Sequence, residues 1–169
     1  MSNRPRSLVI GLTCNKDNIL IGPPGNALLC DFGLSRIRHE CTRTRTVMRE
    51  GGRIRFLAPE LSDGPEEFRT SEPSDIFSLA MTFFNVWDLK VPFVKSSERK
   101  AGALIRDGQR PERPATHLDL HSGMEGEFWK LIESMWAHTA GDRPSSQYVQ
   151  QRLETIFGPI LEQHKTVAL

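Results

Sequence analysis

Asn18 and Asp31 stand thirteen residues apart, and each carries a side-chain oxygen of the hard kind that magnesium accepts. Taken alone, Asp31 serves equally well as the cap of a turn, Asn18 as a partner for loop backbone, and the neighbouring Leu20 as plain core. A second chemistry-bearing stretch follows, with Ser35, Thr42, Thr44 and Thr46 set among Arg36, Arg38, Arg43, Arg45 and Arg49. Seven arginines fall between Arg36 and Arg55 against only Glu40 and Glu50, so this stretch has the charge to hold an anion. It reads equally as a solvated basic loop. With Phe56 as its one nearby aromatic, it lacks a stacking platform for single strands, and a nucleic-acid partner is not expected.

The whole chain offers no other source of charge-driven binding, because 22 Lys and Arg oppose 21 Asp and Glu across 169 residues. A hydrophobic share of 38% at that length supports one globular domain with its own core and argues against disorder. Cys14, Cys30 and Cys41 form no Cys-x-x-Cys pair, which suggests neither zinc nor a disulfide set and fits a reducing, cytoplasmic setting. No apolar run reaches the roughly 18 to 20 residues that span a bilayer, so no membrane association is expected. Arg4 and Arg6 ahead of Leu8–Leu12 imitate a secretory signal, but the apolar stretch is too short and reads as strand or turn.

Positioning these residues falls to a small set of elements. Ile19–Ile21 and Ala27–Cys30 flank the breaker run Gly22-Pro23-Pro24-Gly25-Asn26 and predict a hairpin of buried strands. Residues 35–57 show no sustained period and read as a long surface loop, a length that usually signals function or disorder. Pro73–Trp87 is apolar on every side and predicts a helix at the centre of the core, started by Ser71 and Pro73. A weakly patterned surface helix is expected over 96–106. Phe128, Leu131, Ile132 and Met135 make the core stripe of a third helix over 125–136, and Val149, Leu153 and Ile156 that of a fourth over 145–157. The fold class expected is mainly α (α+β), a short β-hairpin followed by a helical bundle around a central buried helix.

Order and separation of short motifs give a more specific reading. Asn18-Ile19-Leu20-Ile21, Asp31-Phe32-Gly33, Ala58-Pro59-Glu60, Ser74-Asp75-Ile76-Phe77-Ser78, Trp136 and Arg143-Pro144 follow one another in a sequence that resembles the C-terminal lobe of a eukaryotic protein kinase. The resemblance spans residues 8–157 as a partial kinase domain, with 158–169 as a tail. It implies ATP-dependent phosphorylation of protein Ser, Thr or Tyr, with ATP and Mg2+ as cofactors. Asn18 and Asp31 would be the metal ligands, and Leu20, with Ile19 and Ile21, would pack beneath the adenine. Glu60 and Arg143 would form a buried ion pair, and Asp75 would accept hydrogen bonds from the catalytic-loop backbone. Gly51–Leu57 resembles the substrate-docking stretch, where glycine lets a peptide come close. Thr42, Thr44 and Thr46 would lie in an activation loop ordered by phosphate–arginine pairing. Gly-Gly-Arg-Ile-Arg-Phe-Leu-Ala-Pro-Glu looks more like the tyrosine-kinase-like branch than a typical Ser/Thr kinase.

The family pattern fails at its centre. Counting back from Asn18, Thr13 occupies the position of the proton-accepting Asp and Asn15 that of the catalytic-loop Lys, while Gly11 replaces the usual His. Lys16-Asp17 cannot repair the loop by a register slip, because its lysine precedes its carboxylate. No glycine-rich loop or strand lysine precedes residue 8, so the N-terminal lobe is expected to be absent and useful turnover with it. The partner expected is a protein substrate. The alternative is a non-catalytic pseudokinase or scaffold that binds a protein partner, which predicts an exposed apolar surface.

Overall fold

The computed structural model describes residues 9–10, 19–22, 26–29, 36–37, 43–44, 53–61, 67–68, 71–115, 118 and 123–167. The elements are β1 (Val9–Ile10), β2 (Ile19–Gly22), β3 (Asn26–Leu29), β4 (Arg36–Ile37), β5 (Arg43–Thr44) and β6 (Glu67–Phe68), then α1 (Glu72–Asp88), α2 (Glu98–Arg106), α3 (Met124–Met135) and α4 (Ser146–Val167). Short 3-10 turns cover Arg53–Phe56, Pro59–Leu61 and Ala140–Asp142. The strands pair antiparallel in twos, β1 with β4, β2 with β3 and β5 with β6. Mainly helical with a little sheet is the fold class the sequence implies.

The first turn of α1 is fixed by local hydrogen bonding. Ser71 Oγ accepts from the Ser74 amide at 3.3 Å while Ser74 Oγ accepts from the Ser71 amide at 2.9 Å, a reciprocal capping box. From that start the helix runs through the core, with Phe77, Ala80, Met81 and Thr82 fully enclosed. The hydroxyls on this helix satisfy themselves, Thr82 donating to the Ser78 carbonyl at 2.9 Å. Asn85 does not: its amide is buried and neither polar atom has a partner among the described residues.

An aromatic cluster joins α1 to α3 and α4. Trp87 stacks on Phe128 with ring centroids 5.6 Å apart, Phe128 meets Phe157 edge-on at 5.1 Å, and Trp129 meets Trp136 edge-on at 5.4 Å. The α3 stripe of Phe128, Leu131, Ile132 and Met135 is buried as its spacing implies. No helix among the described residues is long and apolar enough to cross a membrane.

Four expectations need correction. The β2–β3 hairpin forms with Leu20 opposite Leu28, but these strands are not buried: Leu20 is 54% exposed, Leu28 53% and Ile21 74%. A two-stranded ribbon covers neither of its own faces. Helix α2 lies at the surface with Arg99 and Lys100 exposed, but it is not weakly patterned, since Ala101, Gly102 and Ile105 are buried on one side. The end of the 35–57 stretch is not a surface loop, because Arg55, Phe56 and Leu57 are buried. Helix α4 does not stop at 157 but continues through Pro159 to Val167, taking in most of the segment read as a tail. Proline there removes one amide donor without removing the turns on either side.

The contact of α2 with the 53–56 turn sets a steric test. A Cβ built on Gly102 would lie 2.6 Å from Ile54 Cγ2, a methyl on a β-branched side chain with little rotational freedom. Helix propensity favours Gly102→Ala by about 1 kcal/mol. Overpacking opposes it by about 1–3 kcal/mol. Net destabilisation is therefore expected, read as a lower urea midpoint at unchanged slope, and a raised midpoint would show that the turn yields freely.

Candidate functional site

Residues 53–61 are held from three sides, and arginines supply most of the grip. Ser78 of α1 donates to the Phe56 carbonyl at 2.7 Å, placing the segment against the central helix. On the α2 side, Arg55 is buried and donates to the carbonyls of Pro92 and Phe93 at 2.7 Å and of Ser96 at 2.6 Å, with its Nε on the Glu98 carboxylate. Among the described residues, this guanidinium's bonds go to one turn and the start of α2.

At the far end of the segment Glu60 and Arg143 meet as a two-pronged pair, Nη1 to Oε1 at 2.7 Å and Nη2 to Oε2 at 2.8 Å. Arg143 also donates to the carbonyls of Ala137 at 2.8 Å, Pro73 at 2.9 Å and His138 at 3.1 Å. One side chain thus ties the segment's end to the start of α1 and to the α3–α4 connection. The Arg143 side chain is fully enclosed while that of Glu60 is 34% exposed.

Arg110 joins this cluster. It donates through Nε to the Trp136 carbonyl at 2.8 Å and through Nη1 to Ile105 and Gln109 carbonyls at 3.1 and 2.7 Å. Its guanidinium carbon sits 4.9 Å from the Phe77 ring centre and that of Arg143 sits 5.0 Å from the same ring. Burial, and then the neighbouring Arg143 charge, push the Arg110 guanidinium down to about 10 against a smaller upward pull from Glu60. The group stays charged at neutral pH.

The other residues singled out by sequence stand as follows. Leu20 lies on an open face of β2, so any ring packed on it would meet an exposed apolar surface. Asp75 sits half-buried in the first turn of α1. The backbone of Thr44 pairs with Glu67 across β5 and β6. Thr13, Asn15, Asn18, Asp31, Thr42 and Thr46 lie outside the described residues, as does the pocket that Asn18 and Asp31 would form. Arg55 and Arg110 are the site residues that sequence reasoning missed. Arg55 had one usable signal, its place among Ile54, Phe56 and Leu57, where an arginine must be paired if the segment is buried.

The protein kinase domain family matches residues 15–154. The chain belongs to the protein kinase family. It is 29% identical over 152 residues to a putative serine/threonine-protein kinase/receptor of Acanthamoeba polyphaga mimivirus, covering 90% of this chain and 8% of that relative. It is 30% identical over 132 residues to receptor-interacting serine/threonine-protein kinase 2 of Bos taurus, covering 76% of this chain and 24% of that protein. To receptor-interacting serine/threonine-protein kinase 3 of Rattus norvegicus it is 30% identical over 158 residues, covering 89% and 32%. The chain spans less than half the length of these relatives. The Glu60–Arg143 fork and the Arg55 clamp fix where residues 53–61 lie.

Proposed function

We propose that this chain is a kinase-family domain that keeps a protein-docking side and lacks efficient phosphoryl transfer. The observation that carries this reading is Thr13, with Asn15, at the positions where the family places its proton-accepting Asp and its lysine. A threonine hydroxyl at neutral pH cannot take up the proton of an attacking alcohol, and losing a general base costs roughly 10² to 10⁴ in rate. The docking side is supported by the anchoring of residues 53–61 through Arg55, Ser78 and Glu60. Protein Ser/Thr hydroxyls are the acceptor class suggested by the relatives' names, and a cytoplasmic setting belongs to the same reading.

The family uses ATP and Mg2+, and the donor chemistry here fits: Asn18 and Asp31 supply oxygen donors for the metal, and the exposed Leu20 supplies an apolar floor for a planar ring. When bound, the metal would neutralise phosphate charge. Residues of this chain would only hold and orient the nucleotide.

Two measurements test the proposal. Millimolar Mg-ATP is expected to raise the melting temperature, since a ligand at ten times its dissociation constant stabilises by about 1.4 kcal/mol; no rise removes nucleotide binding. Labelled phosphate is not expected in a generic protein substrate, and clear incorporation that disappears in Asp31→Asn would overturn the loss of transfer. A second reading, a scaffold working without nucleotide, is favoured by the exposed apolar side chains of Leu20, Ile21 and Leu28 on the β2–β3 ribbon and would show as a flat ATP titration.

A further inference from the structure

Along residues 86–100 the side chains that reach solvent are almost all of two kinds. Val86, Leu89 and Val94 are 51%, 79% and 51% exposed, and Lys90, Lys95, Arg99 and Lys100 are exposed among them, with Ser97 as the remaining exposed residue. The two acids of the stretch do not cancel this charge. Asp88 and Glu98 are half-buried; Asp88 lies 3.7 Å from Lys90, and Glu98 receives the buried Arg55. Among the described residues no ion pair engages Lys95, Arg99 or Lys100. Glu112, exposed in an open groove that Val94 and Lys95 also line, is one acid against these three cations.

The backbone presents two of the apolar side chains as tips. Leu89 caps the C-terminal end of α1 at φ 57, a left-handed position that usually goes to glycine. Val94 is a central residue of the tight turn closed by the Ser96 amide on the Phe93 carbonyl at 2.8 Å. Each tip is followed directly by a lysine. A leucine at position 89 strains the backbone and returns almost no burial, so the fold itself gives no reason for it. The turn is braced from inside, where Arg55 bonds the carbonyls of Pro92, Phe93 and Ser96.

We propose that the 86–100 surface rests on an anionic lipid bilayer, with Leu89 and Val94 entering the headgroup boundary and Lys90, Lys95, Arg99 and Lys100 meeting the anionic headgroups. A bilayer accepts isolated aliphatic tips anywhere on its surface, whereas a protein partner needs a matching pocket for each. Lysine stems let the ammonium stay at headgroup depth while an apolar neighbour goes deeper. Contact of this kind needs no spanning helix. The whole chain has a formal charge of only +1, so attraction to an anionic surface has to come from a local surplus such as this one. None of these residues argues for or against phosphoryl transfer, so the two readings stand or fall separately.

The test is co-sedimentation of the full chain at low salt with phosphatidylcholine vesicles, plain or containing about one third phosphatidylserine. Binding to the anionic vesicles is expected to be about tenfold tighter than to the neutral ones and to fall as salt rises. Lys95→Glu and Lys100→Glu are each expected to weaken it about fivefold or more. Leu89→Gly is expected to weaken it about threefold or more while the melting temperature holds or rises, because glycine suits that backbone. Lys130→Glu, on the α4 side of α3, makes the same change of charge elsewhere and is expected to leave binding as it is. Equal binding to both vesicle types, or no binding to the anionic ones, overturns the proposal. So do variants at 89, 95 and 100 that bind no worse than Lys130→Glu, a result that would move the contact to the arginines between Arg36 and Arg49. Soluble polyglutamate bound as tightly as the vesicles, with Leu89→Gly making no difference, would make an acidic protein the occupant and overturn it as well.

Discussion

Arg143→Ala is expected to destabilise the protein by about 3–5 kcal/mol, the range for breaking a buried ion pair by deleting one partner. The side chain is fully enclosed and its donors satisfy both Glu60 oxygens and the carbonyls of Ala137, Pro73 and His138, so alanine strands several acceptors at once. Glu60→Gln is expected to cost less, about 1–3 kcal/mol, because that side chain is 34% exposed and its amide still accepts from the guanidinium. Since the two residues share one interaction, the double variant should lose less than the sum of the singles. Urea unfolding followed by far-ultraviolet circular dichroism reads all three. A loss below about 1 kcal/mol for Arg143→Ala would show that the fork is geometry without energetic weight.

Phe77→Ala is expected to be about as severe, at roughly 4–5 kcal/mol. Phe77 is wholly buried at the centre of α1, so truncation leaves a cavity the helix cannot collapse around. It also withdraws the ring over which the Arg110 and Arg143 guanidiniums lie. Phe77→Leu separates the two effects, since it keeps most of the apolar volume and loses the π face; about 1–2 kcal/mol is expected. If Phe77→Leu matched the parent in urea, the guanidiniums would owe nothing to the ring. With typical domain stabilities of about 5–15 kcal/mol, Phe77→Ala and Arg143→Ala together would leave little folded protein.

What could be read from the sequence was whatever depends on near neighbours along the chain. Ser71 and Pro73 mark the start of α1, and the three- and four-residue spacing of Phe128, Leu131, Ile132 and Met135 marks α3, because both signals are local. Burial of the β2–β3 ribbon was misread because apolar residues say that a strand could be covered, and only the tertiary arrangement says what covers it. The inner face of α2 escaped notice because small residues make it: Ala101 and Gly102 leave room for Ile54 and form no apolar stripe. The stripe of Val149, Leu153 and Ile156 gives no apolar signal beyond 157, yet α4 runs on through Pro159. Arg55 and Arg110 were invisible as structural groups because their partners are mostly backbone carbonyls from other segments, which carry no sequence signal.

The Arg55 clamp has a consequence in time as well as in space. Its partners lie 37 to 43 residues further along, so one side chain fastens the stretch entering α1 to the turn leaving it and closes a ring around the helix. Shutting that ring meets the entropy of closing a loop of 37 to 43 residues, a cost that contacts within one helix do not carry. If the fastening closes after the folding nucleus, it governs how slowly the molecule comes apart far more than how quickly it assembles.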